Sequence, residues 1–276
     1  MLGKDRLPSY KTMNLQLENK LALVSGSTAG IGLAIAEALA AEGARVIVNG
    51  RTEARVKEAV ASIRANVPTA KLEGLALDLS KTDAAAQTTK RHPDLDILVN
   101  NLGIYEVRDF EQITDAEWLR IIETNFLSGV RLSRHYLPRM KATGWGRIIF
   151  ISSESAVNIP IEMIHYGVTK TMQVALARGL AETTAGTGVT VNSVLAGPTR
   201  SEGVEKFIDD LAKAKRSAPA AVEKEFFTTA RPTSLLKRFA TPDEVAALVA
   251  FVASPLSSAT NGAALRADGG VVRSIL

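Results

Sequence analysis

Short apolar runs alternate with helix-patterned segments along most of the chain. The runs are typical of buried strands and lie at Leu21–Gly26, Arg45–Gly50, Leu72–Leu79, Leu95–Val99, Arg147–Ser152, Val189–Leu195 and Ala263–Arg266. Apolar residues at helical spacing occupy Ile31–Ala41, Glu53–Ala65, Thr82–Arg91, Asp115–Met140, Met163–Thr184 and Pro242–Ala253. Strands that alternate with helices form a parallel sheet covered on both faces. The pattern therefore predicts an α/β fold with a doubly wound, seven-stranded parallel sheet.

One long segment interrupts this alternation. Between Thr199 and Ala240 the pattern is helical and contains no strand. Excursions of this length usually carry function, so we expect residues 199–240 to form a substrate-binding lid, although a helical pair that simply covers the sheet fits the same pattern. No Pro/Gly/Ser-rich linker divides the rest, which predicts one domain over residues 15–276. Residues 1–14 are expected to form a flexible arm.

Composition excludes several classes of protein. The chain is 46% hydrophobic and 22% charged, which is typical of a globular protein with a large core. Its 33 Lys and Arg residues exceed its 29 Asp and Glu residues only slightly and are dispersed, unlike those of a nucleic-acid binder. There is no cysteine, and the three histidines are scattered, so we expect no metal site.

The chain shows no targeting or membrane signal. Its longest uncharged apolar run, Val245–Ala253, has nine residues, whereas a membrane-spanning helix needs about 20. The N-terminus lacks the apolar stretch of a signal peptide. We therefore expect a cytoplasmic protein with neither membrane nor nucleic-acid partners.

A glycine-rich turn follows the first predicted strand. Residues Ser25–Gly32 read SGSTAGIG and lead directly into a helix. Glycines at such a turn let the backbone approach a pyrophosphate, and the helix N-terminus supplies free N–H groups. A tight turn needs glycine in any case, but this position favours dinucleotide binding by a Rossmann-type domain.

The end of the second predicted strand bears on the choice of cofactor. Folds that prefer NAD place an acidic residue there to bind the ribose 2′-hydroxyl, but this chain has Gly50 followed by Arg51. A guanidinium can bind a 2′-phosphate through two parallel hydrogen bonds. The pattern predicts NADP, with NAD less favoured; a solvated loop arginine is the alternative interpretation of Arg51.

Candidate acid–base chemistry lies in the second half of the chain. Tyr166 and Lys170 are four residues apart in a predicted helix and so share a face. An ammonium beside a phenol favours the phenolate and lowers the phenol pKa from about 10. Ser153 ends a predicted strand, where open α/β sheets bind their ligands. A YxxxK pair alone is common on helix surfaces, so its meaning depends on this context.

From Leu15 onward, the order of these motifs resembles the short-chain dehydrogenase/reductase family. The matching positions are Ser25–Gly32, Asp78 in LDL, Asn100–Gly103 in NNLG, Asn125, Ser153, Tyr166–Lys170, Asn192–Val194 and Gly197. The resemblance implies an oxidoreductase that transfers a hydride between NADP(H) and a carbonyl or secondary-alcohol substrate. It also implies a homo-oligomer, either a tetramer or a dimer.

The resemblance assigns roles to four catalytic residues. Tyr166 would be the general acid in carbonyl reduction and the base in alcohol oxidation. Ser153 would bind the substrate oxygen, and Lys170 would lower the Tyr166 pKa and hold the nicotinamide ribose. Asn125 would bind a water that links Lys170 to solvent.

The resemblance also implies a set of cofactor contacts. The expected residues are Gly26, Ser27, Thr28, Gly30, Ile31, Gly32, Arg51, Asp78, Leu79, Asn101, Gly103, Tyr166, Lys170, Gly197, Thr199 and Ser201. Asp78 and Leu79 would meet the adenine, and Asn101 the adenosine ribose. The chain departs from the family at Leu102, where alanine is usual, at Ser25, where threonine is common, and in the turn Ala196-Gly197-Pro198. No catalytic side chain is missing.

Other functions fit parts of the pattern. One alternative is an NAD-linked dehydrogenase of a sugar, steroid or acyl substrate, and another is a non-catalytic NADP-binding sensor or scaffold. The complete catalytic set argues against a sensor, which has no use for an acid–base relay. Glu154 and Ser155 are expected to line the pocket wall, and the apolar lining from residues 199–240 suits acyl, aromatic and steroid substrates alike.

Overall fold

The computed structural model describes residues 14–275, apart from the side chains at positions 203, 206, 207, 210 and 211. The predicted flexible arm over residues 1–14 therefore lies, except for Asn14, outside the described residues. The described part of the chain folds around one parallel sheet, in which the spatial order of the strands differs from their order along the chain.

All seven strands are parallel, in the order β3-β2-β1-β4-β5-β6-β7. They are β1 (Leu21–Val24), β2 (Arg45–Gly50), β3 (Lys71–Ala76), β4 (Ile97–Asn100), β5 (Gly146–Ser153), β6 (Val189–Ala196) and β7 (Ala264–Ala267). The predicted Rossmann-type sheet is thus confirmed. The strand order reverses between β1 and β4, and this reversal opens a crevice at the carboxyl ends of the strands.

Nine α-helices occur in the described residues, and the predicted ones lie close to their expected positions. They are α1 (Gly30–Ala41), α2 (Glu53–Asn66), α3 (Ala84–Arg91), α4 (Asp115–Ile122), α5 (Ser128–Thr143), α6 (Ile164–Glu182), α7 (Glu202–Lys215), α8 (Pro219–Thr229) and α9 (Pro242–Ala253). The predicted continuous helix Asp115–Met140 is divided, because Glu123–Leu127 forms a π-helical turn between α4 and α5. In the described part of the chain, no helix is long and apolar enough to cross a membrane.

Buried strand side chains alternate between two apolar layers. Val46 and Val48 face one layer with Leu39 of α1 and Val249 of α9. Ile47, between them, faces the other layer, which includes Tyr136 of α5 and Ala177 of α6. This alternation follows from the two-residue period of a strand. It fixes the sheet between helices on both faces, as the sequence predicts.

Helices α7 and α8 occupy the segment that interrupts the alternation. They pack around a third apolar cluster, which consists of Ile208, Ala212, Val222, Phe227 and Phe239. A parallel β-bridge between Thr199 and Ala240 joins the two ends of the segment. The chain therefore leaves and re-enters the sheet region at neighbouring points, above the carboxyl ends of β5 and β6.

Candidate active site

The glycine turn after β1 presents bare backbone to the crevice. Gly26 and Gly30 have positive φ angles of +62° and +54°, a conformation that favours glycine. A Cβ atom on Gly32 would lie 2.4 Å from both the Gly26 oxygen and Asn101 Nδ2. The turn therefore needs glycine at these positions, and the N-terminus of α1 begins beside it.

Asn49, inside β2, holds this turn in place. Its side-chain oxygen accepts from Gly26 N at 3.0 Å, and its backbone N–H donates to Ser27 Oγ at 2.9 Å. The Ser27 hydroxyl donates in turn to the Val24 carbonyl at 2.8 Å. Ser27 is fully buried, so its side chain belongs to the framework of the turn. Sequence analysis missed Asn49, although a polar residue within an apolar strand was the available signal.

A second set of hydrogen bonds ties the turn to the end of β4. Asn101 Nδ2 donates to the carbonyls of Ser25 and Gly26 at 2.9 and 3.0 Å. The Ser25 hydroxyl accepts from the backbone N–H groups of Asn101 and Leu102 at 2.9 and 3.0 Å. The Asn101 amide group thus stabilises the glycine turn, and the expected contact of Asn101 with the adenosine ribose stays a prediction.

A cleft of about 330 Å³ runs from the glycine turn toward α6. Ten of the expected cofactor-binding residues line it: Gly26, Ile31, Gly32, Asn101, Gly103, Tyr166, Lys170, Gly197, Thr199 and Ser201. Ala29, Leu102, Tyr105 and Val204 line it as well and were not predicted as contacts. The structure thus brings together residues from the ends of four strands, β1, β4, β5 and β6, around one elongated space.

The two residues expected near the adenine follow β3. The Leu79 side chain is only 3% exposed and packs in the same apolar layer as Ile47, so the expected contact of Leu79 with the adenine stays a prediction that its side chain does not support. Asp78 is half-buried, and its Oδ1 accepts from the backbone N–H and hydroxyl of Ser80 at 3.1 and 2.7 Å. The LDL motif does not reveal that Leu79 turns inward after β3 ends.

The end of β2 is shaped by close packing. A Cβ atom on Gly50 would lie 2.4 Å from Thr28 Cγ2 and 3.1 Å from Val56 Cγ2. A larger residue at position 50 would therefore force the Thr28 side chain to shift. Arg51 follows it with an exposed side chain, which has no ion partner among the described side chains. The Arg51 guanidinium is free to meet an anion at this edge of the sheet.

Ser153, Tyr166 and Lys170 meet at the junction of β5 and α6. Ser153 ends β5, and it lines the same cleft as Tyr166 at the start of α6. Lys170 Nζ lies 5.6 Å from the centre of the Tyr166 ring and donates to the Ile151 carbonyl at 2.8 Å. The i, i+4 spacing in α6 therefore places the ammonium beneath the ring, as the sequence predicts.

Burial controls the titration of these two groups. It raises the pKa of Tyr166 well above its usual value, and the neighbouring Ser153 hydroxyl offsets only part of this effect. Burial also lowers the pKa of Lys170 to about 8. The expected lowering of the Tyr166 pKa is therefore not present in this arrangement. The phenol is protonated at neutral pH, which is the form that a general acid needs.

Asn125 lies in the π-helical turn between α4 and α5, a kind of irregularity that is frequent at functional sites. Its side chain forms two hydrogen bonds of 2.8 Å with the Ile104 backbone and donates to Thr169 Oγ1 at 3.1 Å. The backbone carbonyl of Asn125 accepts from Gln173 Nε2 at 2.5 Å, while Gln173 Oε1 accepts from Lys170 Nζ at 3.4 Å. The Gln173 side chain thus links Asn125 to Lys170 through two hydrogen bonds. The sequence analysis missed Gln173, although it lies one turn after Lys170.

A second cavity, of about 560 Å³, opens on the other side of Tyr166. It shares Ser153, Tyr166 and Gly197 with the first cleft. Much of its wall comes from the segment 199–240 and is apolar, with Val204, Ile208, Val222, Phe226 and Phe239. The catalytic candidates therefore stand where a polar, glycine-lined cleft meets an apolar cavity. We refer to the latter as the substrate cavity.

A buried ion pair forms part of the wall of the substrate cavity. Arg231 Nε donates to Glu154 Oε1 at 2.7 Å, and Arg231 Nη1 donates to Glu162 Oε1 at 3.3 Å. Glu154 Oε2 accepts from the hydroxyls of Ser153 and Ser155 at 2.5 and 2.7 Å. Glu154 and Ser155 line the wall as expected, whereas sequence analysis missed Arg231, which lies far away along the chain.

The sheet order and the placement of the catalytic candidates define a class of protein. Residues 26–272 match the family model described as enoyl-(acyl carrier protein) reductase. The chain belongs to the short-chain dehydrogenase/reductase family of oxidoreductases. The family relationship predicted from the order of the motifs is thereby confirmed.

Particular relatives cover nearly the whole chain. It is 48% identical over 263 residues to the uncharacterised oxidoreductase YvaG of Bacillus subtilis, covering 95% of this chain and 100% of the relative. It is 34% identical to D-beta-hydroxybutyrate dehydrogenase of Cupriavidus necator, with 93% and 99% of the two chains covered. The crystal structure of L-sorbose reductase from Gluconobacter frateurii, complexed with NADPH and L-sorbose, is similar with a TM-score of 0.89 and 28% identity. That match covers 95% of this chain and 100% of the reductase.

Proposed function

We propose that the protein is an NADP(H)-dependent carbonyl reductase or secondary-alcohol dehydrogenase, with Tyr166 as general acid in reduction and general base in oxidation. The observation that carries this proposal is the position of Ser153 and Tyr166 at the junction of the cofactor cleft and the substrate cavity. A substrate in the apolar cavity would place its oxygen between these two hydroxyl groups.

The residues of the first cleft suit a nicotinamide dinucleotide. A side chain on Gly32 would fill the space beside the helix N-terminus, where the bare backbone would hold a pyrophosphate. Lys170 would hold the nicotinamide ribose, and the exposed Arg51 would bind a 2′-phosphate. The bound nicotinamide would supply the hydride. The absence of an acidic residue at position 50 and the NADPH complex of L-sorbose reductase both support NADP.

The protein's own groups would handle the proton and the developing charge. In reduction, the protonated Tyr166 phenol donates to the carbonyl oxygen, and Ser153 Oγ donates a second hydrogen bond to it. For this, the Ser153 hydroxyl turns from Glu154 Oε2, which accepts it at 2.5 Å in the structure. Lys170 Nζ, with a pKa of about 8, is the nearest group that can restore a proton to the region of Tyr166 near neutral pH.

The proposal includes the organisation of the chain. Residues 15–276 form one catalytic domain, and the segment 199–240 acts as a substrate-binding lid. The apolar wall that this segment contributes to the substrate cavity supports the role. The proposed location is cytoplasmic and the proposed assembly a homo-oligomer.

Removal of the Tyr166 hydroxyl tests the proposal. We expect Tyr166→Phe to lower kcat by about 10²- to 10⁴-fold, the usual value of a general acid, when NADPH oxidation is followed with a panel of ketones and aldehydes. NADPH affinity should stay within a factor of about 3, equivalent to about 0.7 kcal/mol. Tyr136→Phe is the matched control, because it removes a buried hydroxyl that donates to the His92 carbonyl at 2.8 Å, outside the site. A Tyr166→Phe variant with more than a tenth of the wild-type kcat would refute Tyr166 as the acid.

A further inference from the structure

Each cation in the described wall of the substrate cavity is paired with a carboxylate of the same wall. Arg231 bonds to Glu154 and Glu162, and Lys215 Nζ bonds to the two carboxylate oxygens of Glu225 at 2.7 and 2.8 Å. The described part of the wall thus contains one more carboxylate than it has cations. A substrate anion that enters this cavity meets no unpaired cation among these described side chains.

The Arg231 guanidinium is held too firmly to serve as an anion receptor. Its side chain is 7% exposed and that of Glu154 is 4% exposed. Its Nη1 atom also donates to the Ala230 carbonyl at 2.9 Å. Turning Arg231 toward a substrate carboxylate would leave Glu154 buried without a partner, which is strongly unfavourable.

The Glu154 carboxylate also lies beside the reacting position. Its Oε2 is 2.5 Å from Ser153 Oγ, the group proposed to bind the substrate oxygen. A carboxylate carried close to the reacting carbonyl would therefore approach a like charge in partly desolvated surroundings, where repulsion is stronger than in water. Lys170 lines the cofactor cleft, where its Nζ atom donates to the Ile151 carbonyl at 2.8 Å. The apolar side chains of α7 and α8 offer no compensation.

We infer that the substrate cavity selects uncharged carbonyl compounds with an apolar body and discriminates against carbonyl compounds that carry a carboxylate. This inference rests on the proposed function, because it names the substrate class of the same site. The selecting groups are Glu154, Glu162 and Arg231, with Glu154 as the residue that joins the cavity wall to the catalytic serine.

A matched pair of substrates tests the inference. The compounds are 3-oxooctanoate and its ethyl ester, which share the reacting ketone and the apolar chain and differ in charge. We expect kcat/KM for NADPH-dependent reduction of the ester to exceed that of the acid by at least about tenfold, equivalent to about 1.4 kcal/mol. Equal values, or a preference for the acid, would overturn the inference.

Charge-neutralising variants identify the groups responsible. We expect Glu162→Gln to lower the ester-to-acid ratio, and Glu154→Gln combined with Glu162→Gln to lower it further, because Arg231 then loses both carboxylates. Using a ratio removes any effect on Ser153 that is common to both substrates. Glu182→Gln is the matched control, since Glu182 pairs with Arg178 on the surface of α6 and should leave the ratio unchanged. An unchanged ratio in Glu162→Gln, which alters a half-exposed residue, contradicts the inference even if the double variant does not fold.

A binding measurement separates this inference from the proposed function. Calorimetry on the NADP-saturated Tyr166→Phe variant should show tighter binding of the ester than of the acid, without any turnover. If no carbonyl compound oxidises NADPH with the wild type, the proposed function fails, while the two affinities still decide the charge preference. If turnover occurs and the acid binds as tightly as the ester, only the inference fails.

Discussion

The cofactor cleft and the substrate cavity, the two halves of the candidate active site, differ in the part of the chain that shapes them. The cofactor cleft is shaped by backbone, at glycines whose φ angles or close contacts exclude a side chain. The substrate cavity is shaped by side chains of α7 and α8 and by the buried pair of Glu154 and Arg231. A backbone shape that admits only glycine can be recognised in a single sequence from the glycines themselves. A cavity wall made of side chains cannot be recognised in this way, because many different apolar residues can form it.

This difference has consequences for substitution. The cofactor cleft should be sensitive to the addition of a single carbon atom at the glycine turn. The substrate cavity should tolerate exchange among apolar residues of similar volume but not the loss of one partner of its buried ion pair. Substitutions in the two regions should therefore have different effects, the largest of them in the wall of the substrate cavity.

Loss of the buried cation should be the most damaging change. We expect Arg231→Met to lower the free energy of unfolding by about 3–5 kcal/mol, because it leaves a buried carboxylate uncompensated. Urea denaturation measures the change. The double variant Glu154→Gln with Arg231→Met should recover most of the loss, since neither buried charge remains.

A surface ion pair supplies the control for this experiment. Arg178 and Glu182 form a pair on α6 in which both side chains are 64% exposed. Arg178→Met should change the free energy of unfolding by less than about 1 kcal/mol. If Arg231→Met costs no more than Arg178→Met, the Glu154–Arg231 pair is not the buried element of the cavity wall described above.

The same difference between the two regions explains which features could be predicted from the sequence. The fold and the glycine turn could be predicted, since strand β2 has the expected bounds and Gly26, Gly30 and Gly32 lie where the motif places them. The pairing of Arg231 with Glu154 could not, because 77 residues separate the two and neither has a local motif. Burial, a property of the folded chain, raises the Tyr166 pKa against the expectation from the YxxxK spacing.

One error of detail has a local cause. The predicted helix Asp115–Met140 is divided by a π-helical turn over Glu123–Leu127. The apolar spacing changes little across this turn, so periodicity does not reveal it. The inward direction of the Leu79 side chain was hidden for a similar reason, because a loop after a strand has no fixed period.

The glycine turn should respond to one added methyl group. A Cβ atom at position 32 would lie 2.4 Å from the Gly26 oxygen, and overpacking of this kind costs about 1–3 kcal/mol. We therefore expect Gly32→Ala to weaken NADPH binding by about 10- to 100-fold, at 1.4 kcal/mol per tenfold. Calorimetric titration with NADPH measures the change.

Gly179 provides a matched control within a helix. A Cβ atom there would have no atom within 4 Å, so Gly179→Ala should leave NADPH affinity unchanged and stabilise α6 by up to about 1 kcal/mol. Equal affinities for the Gly32→Ala variant and the wild type would show that the turn can relax, and the proposed contrast between the two regions would then be wrong.

The pH dependence of cofactor binding should report Lys170. Burial lowers the pKa of this ammonium to about 8, and a ribose held by its N–H groups favours the charged form. Above pH 8 binding must therefore take up a proton, so NADPH affinity should fall with rising pH, by at most about tenfold per pH unit. Below pH 7 the Lys170 contribution should be constant. Calorimetry from pH 7 to 9.5 should show this fall in the wild type and a flat profile in Lys170→Met.

The smallest effect concerns Arg51 and the choice between NADPH and NADH. A charge-assisted hydrogen bond contributes about 1.5–3 kcal/mol, but Arg51 is exposed, so solvent and salt reduce its value. We expect the wild type to favour NADPH over NADH in kcat/KM by about tenfold, equivalent to about 1.4 kcal/mol. Arg51→Ala should remove most of this preference, and added salt should reduce it in the wild type.

Arg45 is the control for a general charge effect, because it begins strand β2, whereas Arg51 follows the end of that strand. It is also exposed, so Arg45→Ala changes the net charge equally and should leave the NADPH preference intact. The converse substitution, an acidic residue at position 50, does not give a clean test, because its Cβ atom would lie 2.4 Å from Thr28 Cγ2 and disturb the turn itself. A wild type that prefers NADH, or an Arg51→Ala variant that keeps the full NADPH preference, would show that Arg51 is a solvated loop residue. The difference between the cofactor cleft and the substrate cavity would then be smaller than proposed. The preference of the cofactor cleft for one nicotinamide cofactor would also depend on contacts that the sequence motifs do not reveal.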